Sequence, residues 1–134
     1  MLFDTSVLIR YIRQYKPLPA RLLLSVVAIA EVEVFASRSQ WEFRKRQYVR
    51  NMREQFPVIE LNESLIPAYV HVELYSQGKL KETPLPHGLT ARNMGKNDLW
   101  LAATALYLEQ ELHTTDNDFD HLGPAGVRVV KHQP

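Results

Sequence analysis

The sequence predicts a three-layer α/β/α domain on a largely parallel central sheet, and three observations predict it. Short apolar runs with strand character alternate with helix-length segments along the whole chain. The run Leu22–Val27 is apolar without alternation and partly β-branched, as a strand covered on both faces should be. Its 134 residues, 46% of them hydrophobic and 23% charged, suit a globular chain with one continuous core. A single domain over residues 1–134 is therefore expected.

The elements follow in order. Residues 1–4 read as a short buried strand, and Thr5 or Ser6 is placed to cap a helix running through VLIRYIRQ. Pro17 and Pro19 punctuate the connection to Leu22–Val27. Helices are expected over Ala28–Ser37 and Gln40–Gln55, the second stopped by Pro57 and followed by the short strand VIEL. Residues 63–77 read as helical, with Gly78 as the stop. The Pro-, Gly- and polar-rich stretch 79–96 reads as a long surface loop. Asn97 or Asp98 then opens the apolar helix LWLAATALYLEQ. Leu112–Thr115 is a strand, DFDHL a helical turn and VRVVK the last strand.

Bulk properties narrow the function classes. A net charge of +1 gives no global attraction to nucleic acid or membrane, so any basic surface must be local. The absence of cysteine excludes disulfides, thiol catalysis and zinc–thiolate sites. The N-terminus has no basic leader, and the most apolar stretch, Leu22–Ala36, carries Glu31 and Glu33 and is too short to span a bilayer. A cytoplasmic protein without membrane association is expected. There is no Gly-rich phosphate loop, and the five histidines lack paired metal-ligand spacing.

Four carboxylates stand inside or beside apolar segments: Asp4 in MLFDTSVLI, Glu31 in SVVAIAEV, Asp98 in NDLWLAATAL and Asp116 in LHTTDNDF. An unpaired buried carboxylate costs several kcal/mol or takes up a proton. Taken singly, Asp98 reads as a helix N-cap, Asp116 and Asp118 as the start of a turn, and Glu31 as an exposed helix residue. Asp4 has the least ordinary explanation. Taken together, Asp4 and Asp116 end buried strands, Asp98 opens a helix and Glu31 lies one turn into another. All four then reach the carboxyl edge of the sheet, where ligand sites form. Hard oxygens in such a cluster suit Mg²⁺ or Mn²⁺, one ion or two, and the phosphoryl-transfer chemistry those ions support.

These motifs, in this order and over nearly the whole chain, resemble the PIN-domain ribonucleases, and within them the VapC toxins of bacterial toxin–antitoxin pairs. The resemblance implies a Mg²⁺- or Mn²⁺-dependent endoribonuclease in which Asp4, Glu31, Asp98 and Asp116 are the catalytic and metal-site acids. It places Asp118 where some members carry another acid. It gives the hydroxyl of Thr5 or Ser6 an orienting role beside the first aspartate. It also implies an RNA substrate, a VapB-like antitoxin laid along the active-site groove, and a homodimer. The loop 79–96 departs from the compact toxin pattern.

For RNA contacts the sequence offers the basic stripe Arg46, Arg50 and Arg53 on the 40–55 helix, and Arg92 and Lys96 in the loop leading to Asp98. A solvated face of an amphipathic helix is the plainer reading of the stripe. Three rivals stand beside the toxin reading. One is a PIN nuclease of RNA maturation or decay with no antitoxin. Another is a phosphoryl-accepting or phosphatase-like domain using Asp4, although Ser6 stands where such phosphatases carry a second aspartate. The third is a catalytically dead binding module.

Overall fold

The computed structural model describes all residues from 1 to 134. It contains β1 (Leu2–Phe3), α1 (Thr5–Gln14), β2 (Leu24–Ser25), α2 (Val26–Arg38), α3 (Phe43–Gln55), β3 (Val58–Ile59), α4 (Ile66–Ser76), α5 (Lys96–Tyr107), β4 (Leu112–Thr114) and β5 (Val129–Lys131). All pairings are parallel: β1 with β4, β4 with β5, and β2 with β3. A single bridge from Leu2 to Leu23 joins the two groups, giving the order β3-β2-β1-β4-β5.

Alternation along the strands divides the core. Phe3 and Leu24 face α1, α2 and α3, packing with Val7, Ile12, Val32 and Met52. Leu2 and Leu112 face α4 and α5, packing with Tyr75, Leu99, Ala102 and Phe119. This is the expected three-layer arrangement, with neighbouring residues of β1 committed to opposite layers.

Several boundaries move for identifiable reasons. Val26 and Val27 are helical because the Ser25 hydroxyl accepts from the Val27 amide and caps α2 two residues early. The first helix is capped by Asp4 itself, whose Oδ1 accepts from the Val7 amide, and not by Thr5 or Ser6. The cap of α5 is Gly95, so Asp98 lies within the first turn and is not the cap. Gln40 takes φ 51° and keeps α3 from starting before Phe43. Glu109, at φ 53°, closes α5 after Tyr107.

Candidate active site

Asp4 ends β1 and is 3% exposed. Its Oδ1 accepts from the Ser6 hydroxyl at 2.6 Å and the Val7 amide at 3.0 Å, and its Oδ2 accepts from the Thr114 hydroxyl. Three of its four lone-pair directions are thus occupied, which leaves room for one further ligand and makes Asp4 a poor free nucleophile. The same two hydroxyls continue the network. Ser6 accepts from the Thr115 amide and Thr114 from the Asp116 amide, at 3.3 and 2.9 Å. The strand end carrying Asp4 is thereby fastened to the turn carrying Asp116.

Glu31 reaches the same region from α2, where its Oε1 accepts from the Thr5 hydroxyl at 2.7 Å. Asp98 projects from the first turn of α5 and is half-buried. Its carboxyl is raised to about 6, first by burial and then by Asp118, Glu31, Asp116 and Asp4. Asp116 is also raised, by burial and then by Asp4, Asp118 and Glu31, with Lys131 alone opposing. Asp118 is the strongest of the charges acting on Asp98, so the fifth acid belongs to the set electrostatically.

No three of the chain's histidine or acidic side chains stand close enough to close a coordination sphere by themselves. The five acids share one field rather than one point of contact. As a donor set they fit a hard divalent cation: all oxygen, several negative charges, and Lys131 as the one cation opposing them at Asp116.

The turn after β4 is held from two sides. Lys131 on β5 donates to Asn117 Oδ1 and to Asp120 at 2.9 Å, while Arg92 donates to the Asn117 carbonyl at 3.0 Å. Arg92 is itself anchored, since its amide donates to the Ser76 carbonyl and its carbonyl accepts from the Ser76 hydroxyl. His121, buried, donates from Nε2 to that hydroxyl, which fixes its tautomer and leaves Nδ1 without a partner. Burial and Arg92 hold the His121 imidazole below its ordinary pKa. The long loop before α5 is therefore tied down at Arg92, beside the turn that carries Asp116 and Asp118.

The other basic candidates sit elsewhere. Arg46, Arg50 and Arg53 line a groove of about 720 Å³ together with Glu33, Glu54 and Glu60. Arg46 donates to the Trp41 and Ala36 carbonyls, and Arg53 pairs with Glu33 at 3.0 Å. A second groove of about 440 Å³ adjoins the acids and is lined by Thr5, Glu31, Val34, Phe35, Arg38 and Asn97. Sequence reasoning missed Thr114 and Lys131. A hydroxyl directly before the last acidic turn was the available signal for Thr114; Lys131 depends on the β4–β5 pairing.

The model of the PIN domain family matches residues 1–123. No curated protein matches the chain significantly. Among solved structures, VapBC-1 from nontypeable Haemophilus influenzae is 24% identical, with 97% of this chain and 96% of that chain covered and a TM-score of 0.66. VapBC-5 from Mycobacterium tuberculosis is 22% identical, covering 98% and 97%, with a TM-score of 0.68. DNA-bound VapBC from Salmonella typhimurium is 17% identical, covering 97% and 96%, with a TM-score of 0.72. At these identities the likeness establishes the fold.

Proposed function

The chain belongs to the PIN-domain family, and from that premise we propose that it is a Mg²⁺- or Mn²⁺-dependent endoribonuclease, the toxin of a VapBC-type pair. The observation that carries the nuclease reading is the gathering of Asp118, Glu31, Asp116 and Asp4 around Asp98; burial and those four charges push its carboxyl up to about 6. Asp4, Glu31, Asp98, Asp116 and Asp118 would hold one or two ions. When bound, the cation lowers the cost of deprotonating water and of charge on the phosphoryl and leaving oxygens.

The chain's own groups set the orientation. Ser6 and Thr114 fix the rotamer of Asp4, and Thr5 fixes that of Glu31. Lys131 and Arg92 hold the Asp116–Asp118 turn in place. Arg92, beside the Asp116–Asp118 turn, and Lys96, two residues before Asp98, would add phosphate contacts near the acids. Arg46, Arg50 and Arg53 share their groove with three glutamates and would make a weaker contact surface.

The partners follow the same premise. The groove of Thr5, Glu31, Val34, Phe35, Arg38 and Asn97 offers apolar and polar contacts beside the acids, and an antitoxin segment laid there would cover the site. Val34 is 52% exposed within it. The solved relatives described as VapBC complexes support a VapB-like partner. The exposed side chains Ile66, Val70 and Tyr107 supply apolar surface for a homodimer. No helix is long and apolar enough to cross a membrane.

Purified protein incubated with total RNA and Mg²⁺ or Mn²⁺ should cut it, and chelator or Asp98→Asn should stop the cutting. Cleavage that survives both would refute the metal-site reading. Growth arrest on expression that Asp98→Asn leaves intact would refute the toxin reading and favour an RNA maturation or decay nuclease.

A further inference from the structure

A third groove, of about 550 Å³, runs along the outer face of α1 and differs from the α3 groove in charge. Its lining includes Ser6, Arg10, Arg13, Gln14, Lys16 and Gln133, and no acidic residue. Ser6, Arg10, Arg13 and Gln14 recur at helical spacing, so they form one stripe on one face. From Ser6 to Gln14 that stripe is on the order of 12 Å long by the helical rise. Arg10, Arg13 and Lys16 take part in no salt bridge. Arg13 stacks over the Phe35 ring at 5.1 Å and Lys16 over the Tyr11 ring at 5.3 Å, contacts that steady both side chains without neutralising them. At one end of the groove Ser6 donates to Asp4, so the stripe starts beside the candidate acids.

A cluster of carboxylates repels a polyanion, so a nuclease of this design needs nearby uncompensated positive charge to bring the backbone in. In the α3 groove three glutamates answer three arginines; on α1 three cations stand unanswered. We propose that Arg10, Arg13 and Lys16 form a phosphate track that leads single-stranded RNA along α1 to Asp4. The proposal rests on the ribonuclease reading and names the path its substrate takes.

The probe is a fluorescent 20-nucleotide single-stranded RNA of mixed sequence, with binding to the full chain in Mg²⁺ followed at increasing salt. Cleavage is read on gels from the same mixtures. The variant is Arg10→Gln, Arg13→Gln, Lys16→Gln, which keeps side-chain length for the aromatic contacts. Three lost phosphate contacts should reduce the slope of log affinity against log salt by about 2. Between roughly 50 and 200 mM salt, wild-type affinity should then fall about ten- to twentyfold further than the variant's. Arg10→Lys with Arg13→Lys should restore the slope, whereas Arg50→Gln with Arg53→Gln, in the groove that three glutamates offset, should lower it by less than the α1 variant does. Because the lysine pair keeps the charge, a failure to restore the slope overturns the track even if the glutamine variant folds poorly. Wild-type protein that binds RNA with a slope unmoved by the glutamine variant overturns the track alone. Wild-type protein that neither binds nor cuts RNA overturns the track and the ribonuclease reading together.

Discussion

Asp4 and Asp98 belong to one acidic crevice and are held in opposite ways. Asp4 is buried, caps a helix and accepts three internal hydrogen bonds. Asp98 is half-buried, has no internal donor, and is pushed up to about 6 by burial and four neighbouring acids. The fold thus builds one wall of the crevice as an integral joint and leaves the other under electrostatic tension. A carboxylate of the first kind stabilises the domain whether or not a ligand arrives. One of the second kind destabilises the domain until a cation or proton arrives, which is how a binding site differs energetically from a structural contact.

The largest effect that can break this comparison is on activity. Asp98→Asn removes the proposed hard ligand without changing shape, and RNA cleavage should fall on the order of 10³-fold, as measured by initial rates in Mn²⁺. Asp4→Asn should lose comparable activity.

Stability should then separate the two walls. Asp4→Ala removes a cap and the acceptor of the buried Thr114 and half-buried Ser6 hydroxyls, costing about 2–4 kcal/mol in denaturant unfolding. Asp4→Asn should cost less, because asparagine caps nearly as well. Asp98→Asn should instead stabilise the chelated protein. If Asp4→Ala is harmless or Asp98→Asn destabilising, the division into joint and tensioned site fails.

Thr5→Val tests the link between the walls. It keeps the side chain's shape but removes the donor to Glu31. Metal affinity should fall roughly 10- to 100-fold with little change in unfolding temperature. An unchanged affinity by titration calorimetry would remove Thr5 from the site.

The smallest effect is in pH. A carboxyl raised in the folded state binds its proton more tightly there than in the unfolded chain. Chelated protein should therefore gain stability as pH falls from 7.5 through 6 toward the unfolded value near 3.9, and lose it again as pH rises. The Asp98→Asn protein should lack that part of the slope. Equal slopes in the two proteins would mean that Asp98 is not the titrating group.

What was legible in the sequence follows from range. Asp4 could be read because an acid closing an apolar strand has few local explanations. The three-layer class followed from the strand–helix repeat, whereas strand order and the opposite layers faced by Leu2 and Phe3 depend on long-range pairing and packing that no local pattern encodes. Asp98 was open to reading as an N-cap, since aspartate is a strong cap, but Gly95 takes that place one turn earlier. Val26 and Val27 looked like strand because β-branching signals strand locally, whereas the Ser25 cap decides otherwise. The stripe Arg46, Arg50 and Arg53 drew attention because one-dimensional spacing cannot show that Glu33, Glu54 and Glu60 line the same groove. Arg10, Arg13 and Lys16 escaped notice for the converse reason. Their lack of acidic partners is a tertiary fact, as is the Thr114 bridge between Asp4 and Asp116.

The most direct test is thermal unfolding of wild-type and Asp98→Asn protein in chelator and in Mn²⁺. In chelator the variant should melt above wild type. Mn²⁺ should raise the wild-type midpoint and leave the variant's nearly unchanged. A wild-type midpoint indifferent to Mn²⁺, with Asp98→Asn melting no higher in chelator, would contradict the claim that these acids form a tensioned cation site.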